Sequence, residues 1–575
     1  MSWDGRWSEG SFSGTELTAA MERLGHERIE STPEQLWEAV YRGRTGIESM
    51  SLDRMYDEGR LYQDANGTTP VTGVEQPVGL MLDGSQRLRL GPELVTNGRF
   101  DSGTTGWSSS AEATITTASG KLCVQRKEGE GTGNARAYQS IQTTEGRLYA
   151  IAVTIEHKTN TNAVIINGAA ELGRIGWAQN DGTYEIHVIA DMSHFNVSLY
   201  VHGNEGSCLS NFENVTVREV LGNHPHQPTD INRPVLSSRV NGLKNTEDLS
   251  AGGWSKSQGA TVTGTNVLNL PNAGSRSSQN WITNAPVGTT AKGSIVLSGT
   301  GTVRLNIARA TGGGGVYENT AIDVALTSTP TRYDVEHTIV NEGQVGFYLQ
   351  IIRSSISTAT QVTVTKADLR YANDGVDLPE YQRVGDVDTT PGDYDWQNYP
   401  MYLAFNGTNQ NLQVTGMQPD VDEVFVGAAI RKERDEGVAQ VMELSRNHFS
   451  NEGTFALYAP SSTATGKILW RSKGSSPSDA GYSVLAPVSF VVVGIGRISE
   501  NRNQLYINGR SIHQGNAEQG TGTYGNHDLY IGSRAGTSLF YTGRLYGLAL
   551  VFDNPPDDVI ATIEHTLNQN AKIHV

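Results

Sequence analysis

The stretch SFVVVGIGRISENRNQLYINGR, residues 489–510, indicates the fold class of this chain. Its run 491–495 is continuously apolar, as expected of a strand that is buried on both faces. After a polar turn, 504–507 returns as a second strand that ends in the tight-turn pair Asn508-Gly509. Short strands separated by turn residues, without a helical period, predict an antiparallel β-sandwich.

Two further strands complete this pattern, at 528–532 and 544–552. The strings LYINGR, LYIGSR and GRLYGLALV resemble the laminin-G-like, concanavalin-A-like jelly roll. The resemblance covers the last third of the chain. It implies a module that starts near Tyr402 and that binds carbohydrate or protein in many settings, or is structural.

A helix is predicted after the jelly roll, at 554–569. Pro555 stands at its start, and acidic residues in the first turn complement the positive helix N-terminus. Ile560, Ile563 and Leu567 form an apolar stripe that would pack on the sandwich.

The composition fits several β-rich domains. A chain of 575 residues exceeds one hydrophobic core, so three or four domains are expected. Its 65 glycines and its charged fraction of 18% suit short strands and turns better than long helices. The formal net charge of −17 argues against a nucleic-acid partner, which would need basic patches. No apolar stretch is long enough to predict a membrane span.

Two cysteines, Cys123 and Cys208, fall within one predicted domain. A disulfide between them is conceivable, but buried free thiols are the favoured interpretation, and no cysteine spacing indicates zinc. The N-terminal sequence lacks a charged region followed by an apolar run, so no signal peptide is expected. A soluble protein that stays in the cytoplasm or is released by lysis is therefore predicted.

Residues 1–50 are the one N-terminal stretch with helical signals. Ser13 and Glu16 form a capping-box pattern before an apolar run, and Pro33 follows a cap residue before a second short helix that ends at Gly43. Helices this short are marginal alone. They either dock on the next domain or form an attachment or oligomerisation segment. We favour the second interpretation, because this piece differs from the rest of the chain.

Residues 51–92 are predicted to be a connector, because Pro70, Pro77 and turn residues prevent a long helix. The string QDANGTTPVT…PVGLMLDGSQ resembles a segment of phage and prophage virion proteins that carry laminin-G-like modules. Its continuation, GNHPHQPTDINRPVL, stands only at 222–236, which predicts that a separate domain is inserted between the two halves. A linker at 374–400 contains LPEYQRV and YDW, which resemble the same architecture.

The inserted segment is one of two copies of an internal repeat. The string ELVTNGRFDSGTTGW ends at Trp107, and NTEDLSAGGW ends at Trp254. Further landmarks follow each tryptophan in the same order: Tyr184 and Tyr333, Tyr200 and Tyr348, and NVTV at 214–217 and QVTV at 361–364. Two copies of one fold are therefore predicted. The opening N-G-x-F-D-x-G-x-x-G-W of the first copy resembles the carbohydrate-binding-module jelly roll appended to many glycosidases and phage fibres, whereas the second copy keeps only D-L-S-x-G-G-W.

The sequence thus predicts a mainly β chain of tandem antiparallel β-sandwich (jelly-roll) domains, with a short α-helical N-terminal segment and a C-terminal helix. The predicted segments are 1–50 (helical attachment or oligomerisation segment), 51–92 (connector), 93–221 (first carbohydrate-binding-module-like sandwich), 222–243 (linker), 244–373 (second sandwich of the same type), 374–400 (linker) and 401–575 (laminin-G/concanavalin-A-like jelly roll).

No catalytic signature stands out. A glycosidase needs two carboxylates about 5–10 Å apart, and no E-x-D-x-x-E pattern is present. Glu433, Asp435 and Glu436 are interleaved with basic residues and are predicted to lie in an exposed turn. We therefore predict no catalytic, cofactor or metal residues and no enzyme activity. Calcium would be compatible with both sandwich types, but no dense Asp-x-Asp loop marks a site.

Aromatic side chains are the predicted means of binding sugars, through stacking of CH faces on a ring. Trp107 and Trp254 stand at the repeat position and are predicted to be core residues. Trp177, beside a turn, and Trp470, near a strand end, are the candidate glycan-contact residues.

The favoured hypothesis is a bacteriophage virion structural protein: a fibre, spike or head-decoration subunit that attaches to host-surface or environmental glycans. The N-terminal segment would bind other virion proteins, and the resemblance implies a homo-oligomer, often a trimer. Two alternatives stay open. One is a polysaccharide-degrading enzyme with binding modules, and the other is a structural protein that cements capsid or tail subunits.

Overall fold

The computed structural model of the chain describes residues 39–127, 135–157, 161–176, 181–202, 208–282, 285–310, 317–343, 346–372, 378–462, 466–515 and 517–573. Strands predominate among these residues, and all their described pairings are antiparallel. They form two sandwiches of five strands facing five, and one larger C-terminal sandwich. The predicted fold class, tandem antiparallel β-sandwiches with a C-terminal helix, is confirmed.

The N-terminal part begins with a helical end at Ala39 and Val40. Helix α1 starts after Ser51, whose Oγ accepts a hydrogen bond from Arg54 N at 3.2 Å. The elements of this part are β1 (Gly46–Ser49), α1 (Leu52–Asp57), β2 (Leu61–Tyr62), β3 (Gln76–Pro77) and β4 (Leu80–Met81).

These N-terminal residues dock on the C-terminal sandwich. Strand β1 pairs antiparallel with the strand Thr542–Val551. Val40 and Tyr41 are buried in one cluster with residues of the C-terminal helix. The favoured interpretation of 1–50 as a separate attachment segment is therefore wrong for its last twelve residues, 39–50, because apolar burial and sheet pairing fix them to the C-terminal sandwich. The helix signals before residue 39 lie outside the described residues.

The first sandwich consists of two five-stranded sheets, with orders β11-β10-β13-β8-β5 and β12-β9-β14-β7-β6. Alternating apolar residues of both sheets, such as Val153, Leu199 and Phe212, fill the space between them. The strands are β5 (Ser108–Ser109), β6 (Ala113–Ala118), β7 (Lys121–Arg126), β8 (Ala135–Gln142), β9 (Leu148–His157), β10 (Thr161–Asn167), β11 (Glu171–Ile175), β12 (Gly182–Ile189), β13 (His194–His202) and β14 (Cys208–Glu219).

Cys123 is disulfide-bonded, and no described cysteine is free. The favoured interpretation of two free thiols is therefore wrong. Cys208 is the only other cysteine of the chain, and strand β14, which begins there, pairs antiparallel with the strand of Cys123. One sheet of the first sandwich, the sheet that contains β7 and β14, thus carries a covalent constraint that the second sandwich lacks.

The second sandwich repeats this topology, after a short strand β15 (Val235–Ser237) that belongs to the C-terminal sandwich. Its sheet orders are β22-β21-β24-β19-β16 and β23-β20-β25-β18-β17, which match the first sandwich strand for strand. The strands are β16 (Ser255–Ser257), β17 (Thr261–Thr263), β18 (Val267–Asn269), β19 (Arg276–Ile282), β20 (Thr290–Gly299), β21 (Thr302–Ala310), β22 (Tyr317–Ala325), β23 (Thr331–Thr338), β24 (Gly346–Ile352) and β25 (Gln361–Tyr371).

One buried amide contact recurs in both copies and fixes their alignment. Gln139 accepts a hydrogen bond from Thr96 N at 2.7 Å and donates to Thr96 O at 2.9 Å. Gln279 makes the same two contacts with Lys244, at 2.6 and 2.8 Å. The predicted internal repeat is therefore confirmed as two sandwiches of one topology.

The predicted landmarks agree with this alignment only in part. Tyr184 and Tyr333 are equivalent, because they pair with matching positions of β9 and β20. Leu94 N donates to Val217 O and Gly242 N donates to Leu369 O, so NVTV corresponds to 366–369. The predicted match with QVTV at 361–364 is wrong. By strand register Tyr200 corresponds to Ile352, so its match with Tyr348 is also wrong.

The C-terminal sandwich combines a nine-stranded and a six-stranded sheet. The larger sheet has the order β3-β15-β26-β37-β28-β33-β34-β35, with β1 also paired to β37, and the smaller has the order β27-β36-β29-β30-β31-β32. The elements are β26 (Tyr402–Asn406), β27 (Leu412–Met417), β28 (Glu423–Lys432), β29 (Gln440–Leu444), β30 (Thr454–Tyr458), β31 (Lys467–Lys473), β32 (Pro477–Ser483), β33 (Val488–Arg497), β34 (Arg502–Ile507), β35 (Arg510–Gly515), β36 (His527–Ile531), β37 (Thr542–Val551) and α2 (Asp557–Ala571). Ile560, Ile563 and Leu567 of α2 are buried against the larger sheet, as predicted.

The predicted connector and linkers are folded parts of this sandwich. Leu61, Val78 and Leu236 share one hydrophobic cluster with the C-terminal core. Gln382 is fully buried, and its side chain accepts hydrogen bonds from Val240 N and Asn241 N at 2.8 and 3.0 Å. The interpretation of these segments as mere linkers is therefore corrected. Both repeat sandwiches are insertions into one discontinuous C-terminal sandwich, which extends the predicted insertion of the first.

A buried histidine, His224, lies where the first sandwich joins the C-terminal sandwich. Asp83 N donates to His224 Nδ1 at 3.0 Å, and His224 Nε2 lies 3.0 Å from Val220 O. The Nδ1 atom accepts, so the ring is neutral and Nε2 carries the proton. Burial lowers the pKa of His224 to about 4.

We expect acid to weaken this junction. An unfolded histidine takes up a proton near pH 6.5, so the stability contributed by the neutral ring is complete above that pH and is lost as pH falls towards 4. Between pH 7 and 5 the wild type should lose about 2 kcal/mol more unfolding free energy than His224→Asn, which does not titrate. Hydrogen exchange of peptides from 220–227 measures the difference, and equal losses would contradict it. Burial raises the pKa of Asp83 to about 6, but both proteins retain this group.

Candidate functional site

The outward face of one sheet in the first sandwich carries a cationic and aromatic group, which we call the tyrosine platform: Arg136, Tyr138 and Tyr200. The Arg136 guanidinium carbon lies 5.1 Å from the Tyr138 ring centroid and 5.5 Å from that of Tyr200. Arg136 Nη1 also donates a hydrogen bond to Tyr200 Oη at 2.7 Å. Cation–π contacts and this bond hold both rings in fixed positions.

Strand alternation explains why these side chains share a face. In β8, Ala135 and Ala137 are buried in the core, whereas Arg136 and Tyr138 are half-buried on the opposite side. Register with β13 then places Tyr200 directly opposite Arg136. The platform therefore lies on two neighbouring central strands of a sheet, which are rigid supports for a binding site.

A polar atom without a partner lies beside the platform. Ser198 pairs with Tyr138 in the sheet register and faces the same side. Its hydroxyl is fully buried, and it has no hydrogen-bond partner among the described residues. Ile165, opposite Ser198 on β10, is also buried although it faces outward. Two ring faces, a guanidinium and an unsatisfied hydroxyl are groups that bind a polyhydroxylated ring by stacking and by hydrogen bonds.

The equivalent face of the second sandwich is built from amides. Asn306 Nδ2 donates to Gln350 Oε1 at 2.8 Å, and Asn319 Nδ2 donates to Asn306 Oδ1 at 2.9 Å. Beside them, Asn280 pairs with Tyr348 across the sheet, and its Oδ1 is buried without a described partner. This face offers hydrogen bonds where the first offers aromatic stacking, so the two copies present different chemistry on one topology.

Of the candidate glycan-contact residues, Trp177 lies outside the described residues. Trp470 is fully buried between the two C-terminal sheets, and its Nε1 donates to Ile495 O at 3.2 Å. The prediction of a surface role for Trp470 is therefore wrong, because strand alternation points the side chain inward. Trp107 and Trp254 are buried core residues, as predicted.

Sequence reasoning missed the tyrosine platform, although its signal is present. The string ARAYQSIQ in β8 alternates small or apolar residues with Arg136, Tyr138 and Ser140, which is the pattern of a strand with one polar face. The alternation identifies the face. It does not reveal that Tyr200 lies opposite, because that contact depends on pairing with a distant strand.

Two of the three acidic residues predicted to lie in an exposed turn, Glu433 and Asp435, are partly buried in ion pairs. Glu433 Oε1 accepts hydrogen bonds from Arg431 Nε and Arg544 Nε, both at 2.9 Å. Burial alone would raise the pKa of Glu433, but these two guanidiniums hold it below its ordinary value. Asp435 forms an ion pair with the buried Lys432. For Glu433 and Asp435 the predicted exposed turn is thus wrong, because both form structural ion pairs, whereas Glu436 is exposed, as predicted.

Within the described ranges, no three His, Cys, Asp or Glu side chains form a group that could hold a metal ion. No helix in those ranges is both long and apolar enough to cross a bilayer.

Three solved structures illustrate what parts of the chain are similar to. The tandem CBM22-1–CBM22-2 domain of Paenibacillus barcinonensis Xyn10C is 11% identical, with 50% of this chain and 99% of that chain covered and a TM-score of 0.22. The IT-sialidase CBM40 of Ruminococcus gnavus is 14% identical, with 26% and 97% covered and a TM-score of 0.22. The enzymatically active domain of tailspike protein 4 from bacteriophage CBA120 is 17% identical, with 23% and 21% covered and a TM-score of 0.20.

No protein-family model matches the sequence, and no curated protein matches it. At these TM-scores the similar structures assign neither a ligand nor an activity to this chain.

Proposed function

We propose that this chain is a bacteriophage virion protein, a fibre, spike or head-decoration subunit, that adheres to host-surface or environmental glycans through its β-sandwiches. The tyrosine platform carries the glycan-binding part of the proposal. Arg136 holds two tyrosine rings on a rigid sheet face, beside the unsatisfied hydroxyl of Ser198. Single contacts of this kind are weak, and many copies on one particle would multiply them into firm attachment.

The virion part of the proposal is supported by the sequence strings that resemble phage proteins. These strings, in 63–86 and 222–236, come together in the structure, where Met81 N donates to Pro225 O at 2.9 Å. Assembly as a homo-oligomer, a trimer by resemblance, belongs to the same proposal. A disulfide at Cys123 suits a protein that works outside the reducing cytoplasm, on a particle released by lysis. Imaging of particles with the labelled protein, and sedimentation of the chain, test this part.

We propose binding without hydrolysis. A glycosidase needs a carboxylic acid with a raised pKa. Glu443 of the C-terminal sandwich is buried, which alone would raise its pKa, but hydrogen bonds from His448 and the charge of Arg534 hold that pKa below its ordinary value. Asp479 forms a two-bond ion pair with Arg471, at 2.5 and 2.6 Å. Glu443, held in this way, suits recognition better than proton donation.

Loss of either tyrosine ring is expected to weaken glycan binding at the tyrosine platform. Tyr138→Ala and Tyr200→Ala should each lower the affinity for the bound polysaccharide about tenfold, because each removes a stacking surface. The labelled full chain is titrated against host cells and against their purified capsular and cell-wall polysaccharides. Tyr482→Ala, which removes a tyrosine that is 39% exposed on another sandwich, is the matched control and should bind normally.

The same incubations separate adhesion from depolymerisation. New reducing ends that appear with the wild type would contradict binding without hydrolysis. Unchanged binding of the two tyrosine variants would contradict the assignment of the platform.

A further inference from the structure

The C-terminal sandwich carries a second group of side chains on the outward face of its six-stranded sheet, which we call the Phe449 patch: Glu443, His448, Phe449, Arg471 and Arg534. Sheet register aligns Glu443 with Ala456, and Ala456 with Arg471, in one row across neighbouring strands. Trp470 points into the core from the same strand as Arg471, which therefore faces outward. The patch lies far along the chain from the tyrosine platform and shares none of its strands.

Phe449 is an aromatic ring presented to solvent. It is 65% exposed, in the loop between β29 and β30. The guanidinium carbons of Arg534 and Arg471 lie 5.0 and 5.5 Å from its ring centroid. The His448 ring packs on it at a centroid distance of 4.2 Å. Leaving a phenylalanine exposed beside two cations costs hydrophobic burial, and a ligand that covers the ring would recover it.

A buried network holds the ring in place. Glu443 Oε1 accepts hydrogen bonds from His448 N at 2.7 Å and from His448 Nδ1 at 2.9 Å. Because Nδ1 donates, Nε2 accepts, and Arg471 Nη1 donates to it at 2.8 Å. Arg534 Nε donates to Glu443 Oε2 at 3.0 Å. Glu443 and His448 are at most 1% exposed, so the patch is organised before any ligand binds.

The local charge is positive in an otherwise acidic chain. Arg471 is neutralised by Asp479, and Arg534 by Glu443. Lys473 is different, because its Nζ donates to three backbone carbonyls, those of His448, Phe449 and Asn451, at 2.9, 3.2 and 2.7 Å. It forms no ion pair within the described part of the chain. One ammonium group without an ion pair therefore lies against the backbone of the loop that carries Phe449, although the net charge of the chain is −17.

We infer that the Phe449 patch is a binding site for an acidic sugar, a pyranose that carries a carboxylate, within a glycan chain. The CH face of the sugar ring stacks on Phe449, and the carboxylate lies towards Arg534. Arg534 uses Nε and Nη2 in the bonds to Glu443 and Tyr458. Its Nη1 has no partner among the described residues and is not buried, so it remains available to the ligand. The inference goes beyond the proposed function and does not depend on the tyrosine platform.

The test is calorimetric titration of the full chain with oligogalacturonate, oligomannuronate and hyaluronan oligosaccharides. The same oligosaccharides after reduction of their carboxyl groups to alcohols are the matched neutral ligands. A second series uses the chain with Tyr138→Ala and Tyr200→Ala, so that any binding comes from outside the platform. We expect at least one acidic series to bind, and we expect carboxyl reduction to weaken that binding at least tenfold.

Phe449→Ala should weaken acidic-sugar binding at least tenfold, and Phe449→Trp should keep it within threefold. Leu485→Ala removes another exposed apolar side chain of the same sandwich, 66% exposed, and should change affinity less than twofold. Three outcomes would overturn the inference: no acidic oligosaccharide binds, the reduced oligosaccharides bind equally well, or Phe449→Ala binds like the wild type. Oligoglutamate bound as tightly as the sugars would reassign the patch to acidic peptides and would also overturn it.

Discussion

Replacing Trp470 by alanine is expected to lower the free energy of unfolding of the C-terminal sandwich by about 3 to 5 kcal/mol. The indole is fully buried, and its ring centroid lies 5.3 Å from that of Phe455. It packs on the backbone of Gly494, where an added Cβ would lie 2.3 Å from the ring. Truncation leaves a cavity, and it also leaves the carbonyl of Ile495 without its indole donor.

Hydrogen exchange of peptides from β30, β31 and β33, followed through increasing urea, measures this loss within one sandwich of the larger chain. Phe449→Ala is the control, because Phe449 is exposed in the loop between β29 and β30, two strands of the same sandwich. It should change stability by no more than about 0.5 kcal/mol. A cost below about 1 kcal/mol for Trp470→Ala would mean that the indole is a surface residue after all.

Trp470 shows what strand periodicity can and cannot predict. The string ILWRSK is recognisable as a strand, so neighbouring side chains must face opposite sides. Periodicity alone does not say which side is the core. Trp470 faces the core and Arg471 faces outward, towards Phe449. The sequence pattern predicts the strand next to the Phe449 patch. The surface role predicted for Trp470 belongs to the adjacent Arg471.

Pairings between distant strands were the other part that the sequence could not predict. Strand β1 pairs with β37 at the far end of the chain, and β15 pairs with both β3 and β26. Local patterns contain no information on such pairings. The sequence pattern therefore indicates an attachment segment at 1–50, a connector at 51–92 and a linker at 222–243. The insertion of the first sandwich was predictable, because a recognisable string was interrupted at residue 86 and resumed at 222.

The repeat was predictable as a repeat but not in register. Trp107 and Trp254 hold equivalent buried positions, and Gln139 and Gln279 make the same backbone contacts. Loops and strands differ in length between these equivalent positions, so the spacing of later residues differs between the two copies. Similar residues at similar spacing, such as NVTV and QVTV, are therefore not equivalent in the structure. The side chains on the outward faces then diverge freely, because they do not contribute to the shared core.

Removing the disulfide is expected to lower the free energy of unfolding of the first sandwich by about 2 to 5 kcal/mol. Cys123 lies in β7, between β14 and β6 in its sheet, and is disulfide-bonded. Cys208 is the only other cysteine of the chain. A bond between strands that are distant in sequence restricts the unfolded chain, so its loss stabilises the unfolded state. Cys123→Ala should therefore accelerate hydrogen exchange in peptides of β7, β9 and β14.

The second sandwich supplies an internal control, because it has the same strand order and no cysteine. Exchange of its peptides from β18, β20 and β25 should not change in Cys123→Ala or after treatment with dithiothreitol. Cys208→Ala should reproduce the loss, and neither variant should respond further to the reductant. If the reductant leaves exchange in the first sandwich of the wild type unchanged, the disulfide does not stabilise it.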